Sequence, residues 1–91
     1  MVYTYIVQCA DGTLYTGWAV NLEKRMTAHN GGTGAKYTRC RLPVELVYFE
    51  PQENQSMAQK REASIKKLRR CQKIALIRQF RHLKENRPED D

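Results

Sequence analysis

The sequence predicts a small mixed α/β or α+β domain, and three observations predict it. The run VYTYIVQC, Val2 to Cys9, alternates with period two and meets a turn at Ala10-Asp11-Gly12, followed by a short return strand, so a β-hairpin opens the chain. A second β-branched and aromatic run, VELVYFE, spans Val44 to Glu50. Three segments of helical periodicity complete the order hairpin, helix, strand, helix, helix. Ninety-one residues make one domain with one modest core.

Each element has a local reason. In the first strand Tyr3, Tyr5, Val7 and Cys9 share one face, and Thr4, Ile6 and Gln8 share the other. The return strand covers Thr13 to Thr16. Gly17 follows, where any side chain would restrict the approach of other groups. Asn21 caps the first helix, which stops at Asn30-Gly31-Gly32. On it Leu22, Arg25, Met26 and His29 fall at i, i+3, i+4 and i+7, the spacing of one buried stripe. Thr33 to Pro43 is a loop that opens at a hinge-like Gly34 and carries Lys36, Tyr37, Arg39 and Arg41. Pro51 ends the third strand. Ser56-Met-Ala-Gln59 fits a capping box, so the second helix is expected to begin at Ser56. Its stripe is Met57, Ile65 and Leu68 with Ala58 at the edge; Glu62 lies on the flank, and Lys66, Lys67, Arg69 and Arg70 cover the outer side. A third helix, about Gln72 to Leu83, buries Ile74, Ile77 and Phe80. The folded domain is thus residues 1–83, and the polar segment 84–91 is expected to be a disordered charged tail.

Charge and composition narrow the function. The chain is +6, and the tail holds two basic and four acidic residues, which leaves 14 basic and 6 acidic residues, or +8, on the body. A small basic body suits a polyanionic partner, first of all nucleic acid; a solvated basic face kept for solubility is the plainer reading. No stretch approaches the ~20 apolar residues that a membrane span needs. The beginning of the chain shows no basic segment followed by a long apolar run, so no signal peptide is expected. Cys9, Cys40 and Cys71 are odd in number and form no CxxC pair, which reads as reduced thiols in the cytoplasm. Two histidines and scattered cysteines do not make a zinc site.

Five polar residues point inward: Tyr5, Tyr15, Arg25, His29 and Glu62. Each has a plain explanation. Strand tyrosines commonly pack with a satisfied hydroxyl, an arginine can lay its stem on the core and put its head in water, and a lone helical histidine is usually structural. Glu62 is placed to pair with Lys66 one turn on. Taken together the spacing is more telling. Tyr5, Tyr15 and Arg25 follow at intervals of ten, His29 comes one turn after Arg25, and Gly17 closes the triplet Tyr15-Thr16-Gly17.

This set resembles the GIY-YIG nuclease superfamily. The stretches GAKYTRCRLPVELVYFE, Gly34 to Glu50, and KREASIKKL, Lys60 to Leu68, resemble its small stand-alone bacterial branch of uncharacterised proteins. The resemblance covers roughly residues 2–77. It implies a three-stranded antiparallel sheet flanked by helices, with Tyr5 and Tyr15 cross-strand near the first helix. It further implies that Tyr5 stands for the first-motif tyrosine and Tyr15 with Gly17 for the second motif. Arg25 stands for the catalytic arginine, His29 for a histidine or tyrosine near the scissile phosphate, and Glu62 for the metal-binding glutamate. The motifs depart at Tyr3-Thr4 and Thr16, which replace Gly-Ile and Ile. Some members carry a lysine three residues after the second tyrosine; Trp18 stands there, which removes one phosphate or base-activating contact.

The implied activity is a metal-dependent endonuclease that hydrolyses phosphodiesters. The implied cofactor is one Mg²⁺ or Mn²⁺, and the implied partner is nucleic acid, DNA before RNA, with a monomeric protein. The residue types suit that chemistry. A single carboxylate can hold a Mg²⁺ that keeps several waters, and arginine grips phosphate oxygens through two donors. A free tyrosine titrates near ~10 and is a poor base at neutral pH, but a neighbouring cation favours its phenolate. Tyr5 or Tyr15 can therefore take a proton from water, and His29 is either an alternative base or a phosphate contact. Lys36, Arg39, Arg41, Lys66, Lys67, Arg69 and Arg70 are the expected nucleic-acid contacts. The alternative is a nucleic-acid-binding module on the same fold that does not cut.

Overall fold

The computed structural model describes residues 1–85. Its elements are β1 (Val2–Gln8), β2 (Leu14–Ala19), α1 (Leu22–Asn30), β3 (Glu45–Gln52), α2 (Gln55–Lys66) and α3 (Arg70–Glu85). The three strands form one antiparallel sheet of order β2-β1-β3. The Asp11-Gly12 hairpin joins the first two: Asp11 accepts from both the backbone N–H and the hydroxyl of Thr13, and Cys9 N–H bonds Thr13 O.

The central strand is covered on both faces. On one face Tyr5, Val7, Cys9, Ala19 and Val44 form a buried cluster against Leu22 and Met26 of α1. On the other, Ile6 and Val47 pack with Ile65 of α2 and Ile77 of α3. Thr4 donates to the carbonyl of Ala58 across that second face, at 3.0 Å, and fixes α2 on the sheet. Arg61 of α2 pairs with Glu50 of β3 at 2.8 Å. Phe80 of α3 meets Tyr48 and Phe49 edge-on.

Several boundaries differ from expectation. β2 continues past Thr16 through Gly17 and Trp18 to Ala19, because pairing with β1 runs on to Tyr3. Pro51 does not end β3; it sits opposite Tyr3 in an edge strand, the place in a sheet where proline is tolerated. The cap of α2 is Asn54, whose side chain accepts from Met57 N–H at 2.9 Å, so the helix starts at Gln55 and the Ser56 box does not form. Met57 is 44% exposed and Ala58 fully buried, the reverse of the expected stripe, because the helix docks through Ala58 and Ile65. α3 starts two residues early, at Arg70, and runs to Glu85, so residues 84 and 85 of the expected tail are helical. The rest of that tail lies outside the described residues. Asn21 caps α1 as expected, accepting from Lys24 N–H. No helix of the described residues is long and apolar enough to cross a membrane. Cys9, Cys40 and Cys71 are all free thiols.

The loop between α1 and β3 is held at both ends. The Asn30 side chain donates to Val44 O and accepts from Val44 N–H, at 3.2 and 2.7 Å. At the hairpin side, Ala10 N–H bonds Arg41 O, and the Arg41 guanidinium pairs with Asp11 at 3.1 Å. These ties bring the loop across the α1 face of the sheet, where it completes the site.

Candidate active site

Tyr5 is the hub. It is fully buried, and its hydroxyl meets Arg25 Nε at 3.2 Å and His29 Nε2 at 2.9 Å. Opposite it across the β1–β2 pair stands Gly17, not Tyr15, which faces Val7. The two tyrosines are diagonal neighbours on one face. Gly17 is needed for close approach: a Cβ there would lie 2.7 Å from the Tyr5 hydroxyl and 3.3 Å from the Tyr15 ring.

His29 is also fully buried. Its Nδ1 is 2.9 Å from Thr38 Oγ1, and the Thr38 hydroxyl donates to Ala35 O at 2.9 Å. A threonine hydroxyl has a single proton, so Thr38 accepts from His29 Nδ1–H. Neutral His29 then has a bare Nε2, which accepts from the Tyr5 hydroxyl. Burial, and next the Arg25 charge, hold the imidazole below its ordinary pKa, so the neutral ring is the resident form. Burial raises the Tyr5 phenol, while the Arg25 hydrogen bond and charge oppose that rise. Hydrogen bonding to Tyr5 is the main cause that raises Arg25, which stays charged. Gly34 is no hinge. It packs so tightly on His29 that a Cβ would fall 2.6 Å from Nδ1 and 2.8 Å from Cα.

Tyr15 is half-buried, edge-on to His29, with ring centroids 5.8 Å apart. Its other neighbour is Tyr37, stacked at 5.8 Å and 21°. Arg41 sits over the Tyr37 ring, 4.1 Å from its centroid, and donates to Tyr37 O. Sequence reasoning placed Tyr37 in the loop without a role and missed Thr38. No local pattern marks either one, because the Asn30–Val44 and Arg41–Asp11 ties, both tertiary, decide where the loop lies.

Glu62 comes from α2 and is near enough to act electrostatically on Tyr5. Its side chain is 19% exposed and pairs with Lys66 at 2.9 Å. Lys66 is therefore not on the outer side with Lys67 and Arg69; its ammonium lies 5.8 Å from the Tyr15 ring centroid. Arg70 is exposed and donates to Gly12 O, Arg41 is committed to Asp11 and Tyr37, and Lys36, Arg39, Lys67 and Arg69 are exposed. Arg25 also lines an open cleft of about 530 Å³ with Trp18, Val20, Asn21, Lys24 and Ala28. No group of three or more His, Cys, Asp or Glu side chains among the described residues is placed to hold a metal. Glu62 would be a lone protein ligand.

Comparisons with known proteins give the family and the fold. The family model described as the GIY-YIG catalytic domain matches residues 1–75. A UPF0213 protein of Clostridium perfringens is 64% identical over 77 residues, covering 85% of this chain and 83% of its own. One from Syntrophus aciditrophicus is 55% identical over 78 residues, covering 85% and 90%. Two solution NMR structures have the same fold. A protein from E. faecalis matches with TM-score 0.58 at 44% identity, over 87% of this chain and 84% of that one. A UPF0213 protein from Bacillus halodurans matches with TM-score 0.54 at 38% identity, over 85% and 83%. By the family model and these relatives, the chain belongs to the GIY-YIG domain family and, within it, to the UPF0213 proteins.

Proposed function

We propose that the protein is a metal-dependent endonuclease acting on nucleic acid, with Tyr5, Tyr15, Arg25, His29 and Glu62 as its active site. One observation carries the reading. The Tyr5 hydroxyl is held between a permanent cation that steadies its phenolate and a bare imidazole nitrogen able to take its proton. The donor and acceptor capacity of the hydroxyl are both engaged, the proton by His29 and the oxygen by Arg25.

Hydrolysis requires a water that loses a proton, and stabilisation of charge that develops on the phosphate. Arg25 binds the phosphate through guanidinium donors beyond the Nε–H given to Tyr5. The Nε–H that stays on Tyr5 keeps the positive charge beside the phenol while the other donors hold phosphate. Tyr5 then takes the water's proton as its own passes to His29, and Thr38 keeps the imidazole in the accepting tautomer. Tyr15, the more exposed of the two tyrosines, borders the same phosphate. Glu62, a lone and partly exposed carboxylate, would hold Mg²⁺ or Mn²⁺. An ion bound there would supply charge neutralisation at the phosphate and a more acidic water.

The test is a panel of labelled DNA and RNA structures with Mg²⁺ or Mn²⁺ and with chelator. Glu62→Ala should abolish cleavage and spare binding, since Glu62 belongs to neither apolar core cluster and alanine keeps helix propensity. Arg25→Ala should weaken both, with on the order of 10²-fold lost in rate. Glu62→Ala cutting at the wild-type rate with unchanged metal dependence would contradict the assignment. The second reading, a binding module that does not cut, draws on the Lys66 ammonium seated on Glu62. It takes over if wild type binds every substrate and cleaves none.

A further inference from the structure

Lys66 bends from α2 into the site, its ammonium 2.9 Å from Glu62 Oε2 and 5.8 Å from the Tyr15 ring centroid. An ordinary i, i+4 pair joins two solvated heads and contributes little. Here the carboxylate belongs to a side chain only 19% exposed, and the ammonium faces an aromatic ring of the active site as well. The Lys66 side chain itself is 50% exposed, so it has room to swing on its four-carbon stem.

We propose that Lys66 guards Glu62 in the free protein and moves to the scissile phosphate when substrate arrives, which leaves Glu62 open to a divalent cation. The proposal rests on the nuclease reading above. Its physical basis is competition. Two cations repel one another over a single carboxylate. Among the described residues no third-ligand cluster is present to offset that repulsion, so the occupant of Glu62 decides metal affinity. An incoming phosphate offers Lys66 an alternative anion beside Arg25. Metal and nucleic acid then favour each other's binding, and the coupling is reciprocal. Lys66 also brings an ammonium to Tyr15 from α2, in a chain where Trp18 follows the second tyrosine in place of lysine.

The experiment measures Mn²⁺ binding to the free protein by the loss of the free-ion electron paramagnetic resonance signal. Four variants accompany wild type: Lys66→Met, Lys66→Arg, Glu62→Gln and Lys60→Met. Lys60 is an exposed residue of the same helix outside the site. Removing the competing charge should tighten Mn²⁺ on the order of tenfold in Lys66→Met, counting both the broken pair and the relieved repulsion. Lys66→Arg and Lys60→Met should bind as wild type does. In chelator, Lys66→Met should also bind a short oligonucleotide severalfold more weakly than wild type. Circular dichroism confirms that each variant is folded. If Glu62→Gln abolishes Mn²⁺ binding but Lys66→Met does not tighten it, the guard role is overturned and the metal assignment stands. If Glu62→Gln binds Mn²⁺ as tightly as wild type, Glu62 is not the ligand, and both readings fall.

Discussion

His29 shows how much one side chain can settle. On the sequence it is a polar residue on an apolar stripe, with three roles open to it. The structure buries it between Tyr5 and Thr38, and on the proposed reading it is the acceptor behind Tyr5. Its pKa, lowered by burial, also links it to stability. The unfolded chain binds a proton near pH ~6.5, while the folded chain binds it only at lower pH. The stabilisation is therefore present above about 6.5 and is lost as pH falls through the folded value. Denaturation midpoints followed downward from pH ~7 should fall for wild type, and the fall should be shallower for His29→Gln. An identical pH dependence in the two proteins would show that His29 is not held neutral. Gly34 makes the complementary point. A methyl at this position meets the His29 backbone as well as its ring, so Gly34→Ala should cost about 1–3 kcal/mol of stability in urea unfolding, and an unchanged midpoint would contradict the close packing.

Strands and helices were legible where the pattern is local. The Asp11-Gly12 hairpin, the Asn21 cap and the Leu22–Arg25–Met26–His29 stripe all follow from neighbouring residues, and all form. What was misread was decided elsewhere in the fold. Pro51 stays in β3 because that strand is an edge. Met57 faces solvent because Thr4 and Ile6 receive α2 at Ala58 and Ile65. Asn54 and Ser56 both offer caps within three residues, and the docking of the helix selects the first. β2 carries a separate consequence. Thr16, where the family motif has an apolar residue, is buried with a hydroxyl that has no partner among the described residues. Thr16→Val keeps the shape and removes that group, so it should stabilise the protein by about 1 kcal/mol in chemical denaturation. A loss of stability would mean that the hydroxyl has a partner, such as a bound water.

Across the molecule, the basic residues divide into those engaged within the fold and those exposed without such a tie. The +8 body suggested a polyanion, but charge alone did not separate cations bound within the fold from those free to meet phosphate. Arg41 is committed to Asp11 and Tyr37, and Lys66 to Glu62, while Lys36, Arg39, Lys67 and Arg69 are exposed. Replacing those four with serine should weaken binding of DNA and RNA alike. It should also flatten the dependence of affinity on salt by roughly 0.7–0.9 in log–log slope for each phosphate that is no longer neutralised. Unchanged affinity and slope would make that surface a solvated one.

The arrangement of Arg25, Tyr5 and His29 is the centre of the account, and Tyr5→Phe tests it most directly. Phenylalanine keeps the ring that packs over Gly17 and removes the one oxygen that both partners share. The measurement is the single-turnover cleavage rate of wild type and Tyr5→Phe on whichever labelled substrate the wild type cuts, with nucleic-acid binding measured alongside. A rate lower by on the order of 10²-fold or more with binding retained is the result the proton path requires. Cleavage by Tyr5→Phe at the wild-type rate would contradict it and leave Tyr5 as a packing residue.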